Sequence, residues 1–171
     1  MDPSTSPWLD FSGAPPVLIP AAAVPLWRGC IDPDTNSYRD FDKVRPKTDY
    51  DRACAQAWPG RGLIEVGGFT ALVLYAEWDE LAWSPKQGIV ACGSWSPSAE
   101  QLNAAHWGDP LRWVNNHSEH LLMNAAADAS SGLRDDEYIS IQLPRGTYIV
   151  EYAQIEDEFI GGFLRFRPSA A

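Results

Sequence analysis

The sequence predicts a single domain of the α+β class, in which a mainly antiparallel β-sheet is packed with two or three short helices. Hydrophobic residues make up 45% of the 171 residues, so the chain can bury a sizeable core. Segments of alternating apolar and polar residues are frequent, whereas segments with helical spacing are short. The length suits one domain. We therefore expect a flexible tail over residues 1–7 and one domain over residues 8–168.

Strands in the first half of the chain are predicted by short apolar segments next to turn residues. Residues 17–19 are compatible with a short strand, and "AVPLW" with a bend or a helical turn. "GLIEV" and "FTALVLYAEW" are separated by Gly67-Gly68, a strong signal for a two-residue hairpin turn. Residues 30–47 are rich in Asp and Pro, and we expect a surface loop there. "GIVACGSW" and "LRWV" predict two further strands.

Two helices are predicted from the residues at their ends. Thr48 followed by Asp51 resembles a capping box, and the helix that it begins should end near Trp58. A second helix is expected to begin at Ser96-Pro97, and "SAEQLNAAHW" continues it with helical spacing as far as a glycine. "SEHLLMNAAADA" is compatible with either a strand or a helix.

The C-terminal part has the clearest strand pattern. "EYISIQL", "TYIVEYAQI" and "FIGGFLRF" alternate between apolar and polar residues, with turn residues between them. Three consecutive strands with short connections predict an antiparallel meander that closes the domain.

The balance of charges bears on the class of partner. Acidic residues outnumber basic ones by 23 to 13, which gives a net charge of −10 and a pI near 4.6. A charge of this sign repels phosphate backbones and does not favour nucleic-acid binding. It suits a soluble protein whose partner is basic. Because "MDPSTSPWLDF" lacks a signal-peptide pattern and the longest uncharged apolar run is too short to cross a membrane, the predicted location is the cytoplasm.

Few residue patterns indicate catalysis, a metal or a cofactor. His117 and His120 in "HSEH" would share a face on a helix and could bind a metal there, but the sequence nominates no third ligand. The cysteines Cys30, Cys54 and Cys92 form no CxxC pair, and we expect the last two to be small buried side chains rather than nucleophiles. Common nucleotide-binding and hydrolase motifs are absent, so no cofactor is predicted.

The remaining candidates are carboxylates in predicted turns, some of them near aromatic residues. They are compatible with a general acid and base pair or with a solvated rim that keeps the protein soluble. They are also compatible with a binding face for a basic protein, since aromatic anchors concentrate interface energy and surrounding charges speed the encounter. The candidate residues of this face are Glu77, Trp78, Asp79, Glu80, Asp135, Asp136, Glu137, Glu156, Asp157 and Glu158.

Several strings resemble one known family. "TDYDRACAQAW" followed by "GLIEVGGFTALVLYAEWDELAW" resembles immunity protein family 21 of bacterial polymorphic toxin systems. "WLDFSGAPPVLIPAAAVPLWRG" is similar to the opening of that family, and "ISIQLPRGTYIVEYAQIEDE" to its closing pair of strands. The chain departs from the family at two turns, residues 13–16 and 76–79. Because the turn at residues 76–79 differs from the family pattern, a partner-contact residue of the family does not transfer directly to this turn.

The resemblance implies an immunity protein that binds and neutralises a cognate bacterial toxin, often a nuclease in such systems. It implies a cytoplasmic protein without catalysis, cofactor or metal, whose partner is a toxin domain rather than a nucleic acid or a membrane. Two alternatives stay open, a small metal- or carboxylate-dependent hydrolase and an acidic mimic of nucleic acid. In the family-like string, one set of residues would begin a helix and pack it on the sheet. This structural signature consists of Thr48, Asp49, Tyr50, Asp51, Arg52 and Cys54.

Overall fold

Antiparallel β-structure dominates the protein. With 47% strand and 18% helix, the structure confirms the predicted α+β fold in a single domain. The computed structural model describes residues 6, 8–11, 13–40, 48–57, 61–74, 80–93, 97–156 and 160–169. The described strands are β1 (Leu9–Asp10), β2 (Pro16–Pro20), β3 (Ile31–Asp32), β4 (Ser37–Tyr38), β5 (Arg61–Val66), β6 (Phe69–Leu74), β7 (Glu80–Ser84), β8 (Ile89–Cys92), β9 (Leu111–Asn115), β10 (Glu119–Asn124), β11 (Tyr138–Gln142), β12 (Gly146–Glu156) and β13 (Ile160–Pro168).

The strands form two large sheets and one small hairpin. The six-stranded sheet has the order β1-β7-β8-β13-β12-β9, and the five-stranded sheet has the order β11-β10-β2-β6-β5. Among the described strands, β3 and β4 pair only with each other. The described helices are α1 (Asp49–Ala57), α2 (Ala99–Ala104) and two 3-10 helices, Ala21–Leu26 and Ala129–Ser131.

The two large sheets pack face to face around a shared core. Phe166 makes edge contacts with Trp83 and with Trp113, at centroid distances of 5.9 and 6.2 Å, a geometry that aromatic rings prefer. These rings meet the aliphatic side chains of the five-stranded sheet, such as Leu72 and Leu122. The core therefore belongs to both sheets, and neither sheet can keep its inner face buried without the other.

The five-stranded sheet is also covered on its outer face. Ala53 and Ala57 of α1 pack there with Trp27, whose indole nitrogen donates to the Ala125 carbonyl oxygen at 3.1 Å. All five residues of β2 are buried, and so are the last four of β6. Burial on both faces explains why these central strands read as continuous apolar runs rather than as alternating segments.

The first hairpin and the first helix are confirmed. Strands β5 and β6 are joined by Gly67 and Gly68, which both have positive φ, as a two-residue hairpin turn requires. Helix α1 ends one residue before the predicted Trp58, and residues 58–60 lie outside the described part of the chain. Ser6, in the predicted tail, donates from its backbone nitrogen to the Trp83 carbonyl oxygen at 2.9 Å.

Helix α2 is shorter than predicted. It begins after Ser98, whose side chain accepts from the Gln101 backbone at 3.2 Å while Gln101 bonds back to the Ser98 nitrogen at 2.9 Å. The helix is thus capped by Ser98 rather than by Ser96, and its last residue is Ala104. Beside α2, Leu102 and the Trp107 ring pack on the outer face of the six-stranded sheet.

The predicted C-terminal meander is wrong. Strand β11 pairs with β10 in the five-stranded sheet, whereas β12 pairs with β13 and β9 in the six-stranded sheet. The chain therefore changes sheets between Gln142 and Gly146. Within the ambiguous segment "SEHLLMNAAADA", residues 119–124 form β10 rather than a helix, and the predicted loop at residues 30–47 contains the β3–β4 hairpin. Residues 41–47 lie outside the described part.

A histidine is buried between the sheets, and none of the described residues provides it with a hydrogen-bond partner. His120 on β10 is 0% exposed, and its ring packs edge-on against Trp113 at 5.4 Å. Neither of its ring nitrogens has a hydrogen-bond partner within the described residues. Burial, with a smaller contribution from the charge of His117, lowers the pKa of His120 from 6.5 to about 4. The fold thus requires this imidazole to be neutral.

We predict that this histidine makes the protein sensitive to mild acid. The pKa of His120 is lower in the folded chain than in the unfolded chain, so its stabilising contribution is complete above pH 6.5 and is lost as pH falls towards 4. The full loss amounts to about 3 kcal/mol. Urea unfolding at several pH values should show that the free energy of unfolding of the wild type falls steeply as pH falls from 6.5 towards 4. The same dependence on pH should be much weaker in His120→Phe. The exposed His106→Ala variant should keep the wild-type slope, and an unchanged slope in His120→Phe would contradict the assignment.

Candidate functional site

Two of the predicted acidic segments lie at one end of the six-stranded sheet. Glu80 is the first residue of β7 and Glu156 is the last residue of β12. The register connects them, because Cys92 of β8 pairs with Leu81 on one side and with Gly162 on the other. Strand β13 in turn pairs with β12 at the same level.

The third acidic segment lies at the adjoining end of the five-stranded sheet. Residues 135–137 precede β11, whose first residue Tyr138 is in register with Met123, then with Val17 and then with Val73 near the end of β6. The chain leaves β6 at this end and enters β7 after residues 75–79. Since β11 also contacts β7 across the two sheets, the topology brings the three segments to one end of the sandwich.

We call this region the acidic end and define it by its described carboxylates. Glu80, Asp135 and Asp136 are exposed. The backbone alone is described for Glu156, and the remaining candidates Glu77, Trp78, Asp79, Asp157 and Glu158 lie outside the described residues. The acidic end thus comprises Glu80, Asp135, Asp136 and Glu137, and the backbone of Glu156 lies beside them.

One arginine partly neutralises the acidic end. Arg134 reaches Asp136 at 3.3 Å and Glu137 at 3.2 Å, and its backbone nitrogen donates to Glu137 at 2.8 Å. The Tyr138 hydroxyl donates to Asp135 at 3.4 Å. The arginine side chain is 75% exposed, so its ion pairs are weak and a partner can exchange them.

The predicted capping box at the start of α1 is present and buried. The Thr48 hydroxyl accepts from the Asp51 nitrogen at 3.1 Å and donates to the Asp51 carboxylate at 2.7 Å. Asp51 also pairs with Arg39 of the preceding loop, and its side chain is 8% exposed. Asp51 therefore fixes the first turn of the helix and connects it to the loop.

A second contact ties α1 to its surroundings. Asp49 accepts from the Arg28 backbone nitrogen at 2.8 Å and from the Arg52 guanidinium at 2.5 Å. Arg52 also donates to the Glu65 carbonyl oxygen on β5 at 2.8 Å. Arg52 thus pairs with a carboxylate of its own helix, and through Glu65 it also joins the helix to the sheet. No pattern in the sequence indicates that Arg28 and Arg39 take part.

The cysteines carry protonated thiols. Burial raises the pKa of Cys30, of Cys54 and most strongly of the fully enclosed Cys92. Cys54 is only half-buried, contrary to the expectation, and its hydrogen bond with Tyr50 raises the pKa of that phenol to about 12. A thiol nucleophile needs the opposite shift.

The two histidines of "HSEH" do not share a face. His120 lies on β10 in the core, while His117 precedes the strand and contacts Phe69 in a tilted arrangement, with the ring centroids 5.2 Å apart. The cleft beside His117 has a volume of about 40 Å³, room for one or two water molecules. Within the described residues, no group of three His, Cys, Asp or Glu side chains is placed to hold a metal ion. In the same part of the chain, no helix has the length and hydrophobicity to cross a membrane.

The family of the chain is established by its sequence. The family model described as Immunity protein 21 matches residues 7–159. The chain therefore belongs to the Immunity protein 21 family, and the predicted resemblance is confirmed. It is accordingly an immunity protein of toxin systems. Neither the curated proteins nor the solved structures contain a match.

We predict that the α1 capping box contributes to global stability. Thr48→Ala removes the hydroxyl that caps a helix packed on the core and should lower the free energy of unfolding by about 1 kcal/mol. Thr48→Ser should restore most of it. Ser98→Ala is the matched control, because α2 has no buried residue and can fray without unfolding the domain. Equal losses in both variants, measured by urea unfolding, would contradict the prediction.

Proposed function

We propose that the protein binds a cognate toxin directly and neutralises it without catalysis, in the cytoplasm of the cell that makes the toxin. Membership of the Immunity protein 21 family carries this proposal, because the matched region includes most of the described fold. The toxin domain is the partner, and neither a nucleic acid nor a membrane is required.

The chemistry of the described side chains supports binding rather than catalysis. The raised pKa values keep the three thiols protonated at neutral pH. His120 has a lowered pKa but is enclosed by the core, where it cannot meet a substrate. A general acid or base has to come within hydrogen-bond reach of a substrate, and the sandwich interior provides no such access.

We propose the acidic end as the surface that meets the toxin. A toxin that cleaves nucleic acid must present a basic groove to hold phosphates, and carboxylates on several converging segments can occupy the same positive charges. The topology supports this role, because Glu80 and residues 135–137 come from different sheets and still lie at one end. Glu77, Trp78, Asp79, Asp157 and Glu158, which lie outside the described residues, are also part of the proposed surface.

Co-expression tests the function itself. Cells that make the toxin domain encoded beside this gene should grow only when they also make this protein, and the two chains should co-purify. Elimination of toxicity without any complex, for example by chemical modification of the toxin, would contradict a binding mechanism. The absence of both rescue and complex would contradict the proposed function.

Charge reversal tests the acidic end. Glu80→Lys and Asp135→Lys should each weaken toxin binding by about tenfold, mainly through slower association, because they remove attraction and add repulsion. Glu119→Lys makes the same change at an exposed position at the other end of the five-stranded sheet and should have little effect. Stopped-flow measurements should also show that the wild-type association rate falls as salt rises. A rate independent of salt, or equal losses in all three variants, would exclude this surface.

A further inference from the structure

A basic surface lies on the outer face of β9, β12 and β13. Side chains on one face of a sheet follow the register, and Arg112 pairs with Ile149, which pairs with Arg167. One level along, Glu151 pairs with Arg165. We call this surface the basic face and define it by Arg112, Val114, Ile149, Glu151, Arg165 and Arg167.

The basic face carries positive charge on a negative protein. The Glu151 carboxylate accepts from Arg165 at 2.8 Å and from Arg167 at 2.9 Å, so its charge is already engaged by two arginines. The hydrogen bond from Arg167, ahead of that from Arg165, holds the pKa of Glu151 below its usual value. Three arginines and one glutamate leave 3 − 1 = 2 positive charges, whereas the whole chain has a net charge of −10.

The basic face is ordered and accessible. The Arg165 guanidinium lies over the Trp107 ring at 3.8 Å, which holds it between the indole and Glu151. Arg167 and Val114 are 53% and 52% exposed. Within the described residues Arg112 forms no ion pair, so its guanidinium is available to a partner. Held arginines beside an exposed aliphatic side chain have the composition of an interface centre.

Its position leaves room for an extended chain. Strand β9 is the last strand of the six-stranded sheet, so one side of its backbone has no neighbouring strand within the described structure. Helix α2 and Trp107 cover a different part of the same outer face, around Phe163. Beside residues 113–117 the β5–β6 turn leaves a cleft of only about 40 Å³, so an extended segment would lie across the outer face, where its side chains can reach Val114 and the arginines.

We propose that the basic face is a second docking surface, and that it binds an extended, carboxylate-bearing segment of the toxin. This inference rests on the proposed function. Guanidinium groups bind carboxylates in a bidentate geometry, which favours an acidic peptide segment as the occupant. Nucleic acid also carries negative charge, but the net charge of −10 opposes its approach. A protein segment carries fewer charges and meets less repulsion.

Two substitutions test the basic face without disturbing its ion pairs. Arg112→Glu reverses a charge that is not needed by Glu151, and Val114→Asp puts a carboxylate in the proposed contact. Lys86→Glu is the matched control, because it makes the same charge change in the exposed β7–β8 turn, which β13 and β12 separate from Arg112 and Val114 on β9. Binding of the purified toxin domain should weaken at least about tenfold in the first two variants and stay close to wild type in the control. The temperature of unfolding should stay the same in all three.

The possible outcomes separate this inference from the proposed function. If the wild type binds the toxin and Arg112→Glu binds equally well, the basic face is excluded while the function stands. Equal weakening by Lys86→Glu would mean a general charge effect and would also exclude it. If the wild type neither binds nor rescues, the function and this inference fail together. Binding of a mixed-sequence oligonucleotide, or formation of a dimer by the protein alone, would overturn the assignment to the toxin if Arg112→Glu abolished it.

Discussion

The shared core between the two sheets is the constraint on which the rest of the structure depends. Trp113 and Phe166 of one sheet pack with the aliphatic residues of the other, so each sheet needs its partner to exclude water. Helix α1 and Trp27 then bury the second face of the five-stranded sheet. With three sheet faces at least partly enclosed, a protein partner can reach the ends of the sandwich and the uncovered part of the six-stranded sheet. The acidic end and the basic face lie there.

Local signals in the sequence predicted local structure well. Gly67-Gly68 specifies a tight turn whatever its surroundings, and the Thr48–Asp51 capping box is complete within four residues. Strand pairing could not be predicted in this way, because the alternation of apolar and polar residues identifies a strand but not the strand that it pairs with. β11 and β12 are separated by only a short connection, yet they lie in different sheets, since Ile139 and Ile141 fill the face opposite Trp113. That choice depends on contacts far apart in the chain.

The candidate site likewise combines residues that the sequence indicates with an arrangement that depends on contacts between distant parts of the chain. The sequence indicated acidic turns, but the path of the chain from β6 to β7 and the register of β11 bring them to one end. The basic face does have a signal in the sequence, because "FLRFR" alternates arginine with apolar residues and Glu151 lies on the same face of the neighbouring strand. Its significance appears only when the pairing of β9 with β12 adds Arg112. The signature residues show the converse, since Arg39 lies in a loop whose sequence does not reveal its contact with Asp51.

Charge and fold are carried by different residues in this protein. The core and the buried first turn of α1 fix the fold, while the exposed carboxylates of the acidic end make few contacts that the fold requires. Substitutions in the acidic turns can therefore change which partner is accepted without loss of the sandwich. Within the six-stranded sheet, the acidic residues lie at the end where β13 begins, next to Gly162. Arg167 lies near the other end of β13. Such a separation of charge orients a molecule in the field of a charged partner. If both proposed surfaces meet the toxin, the acidic end would approach its basic groove first, and the short-range contacts of the basic face would form after the encounter.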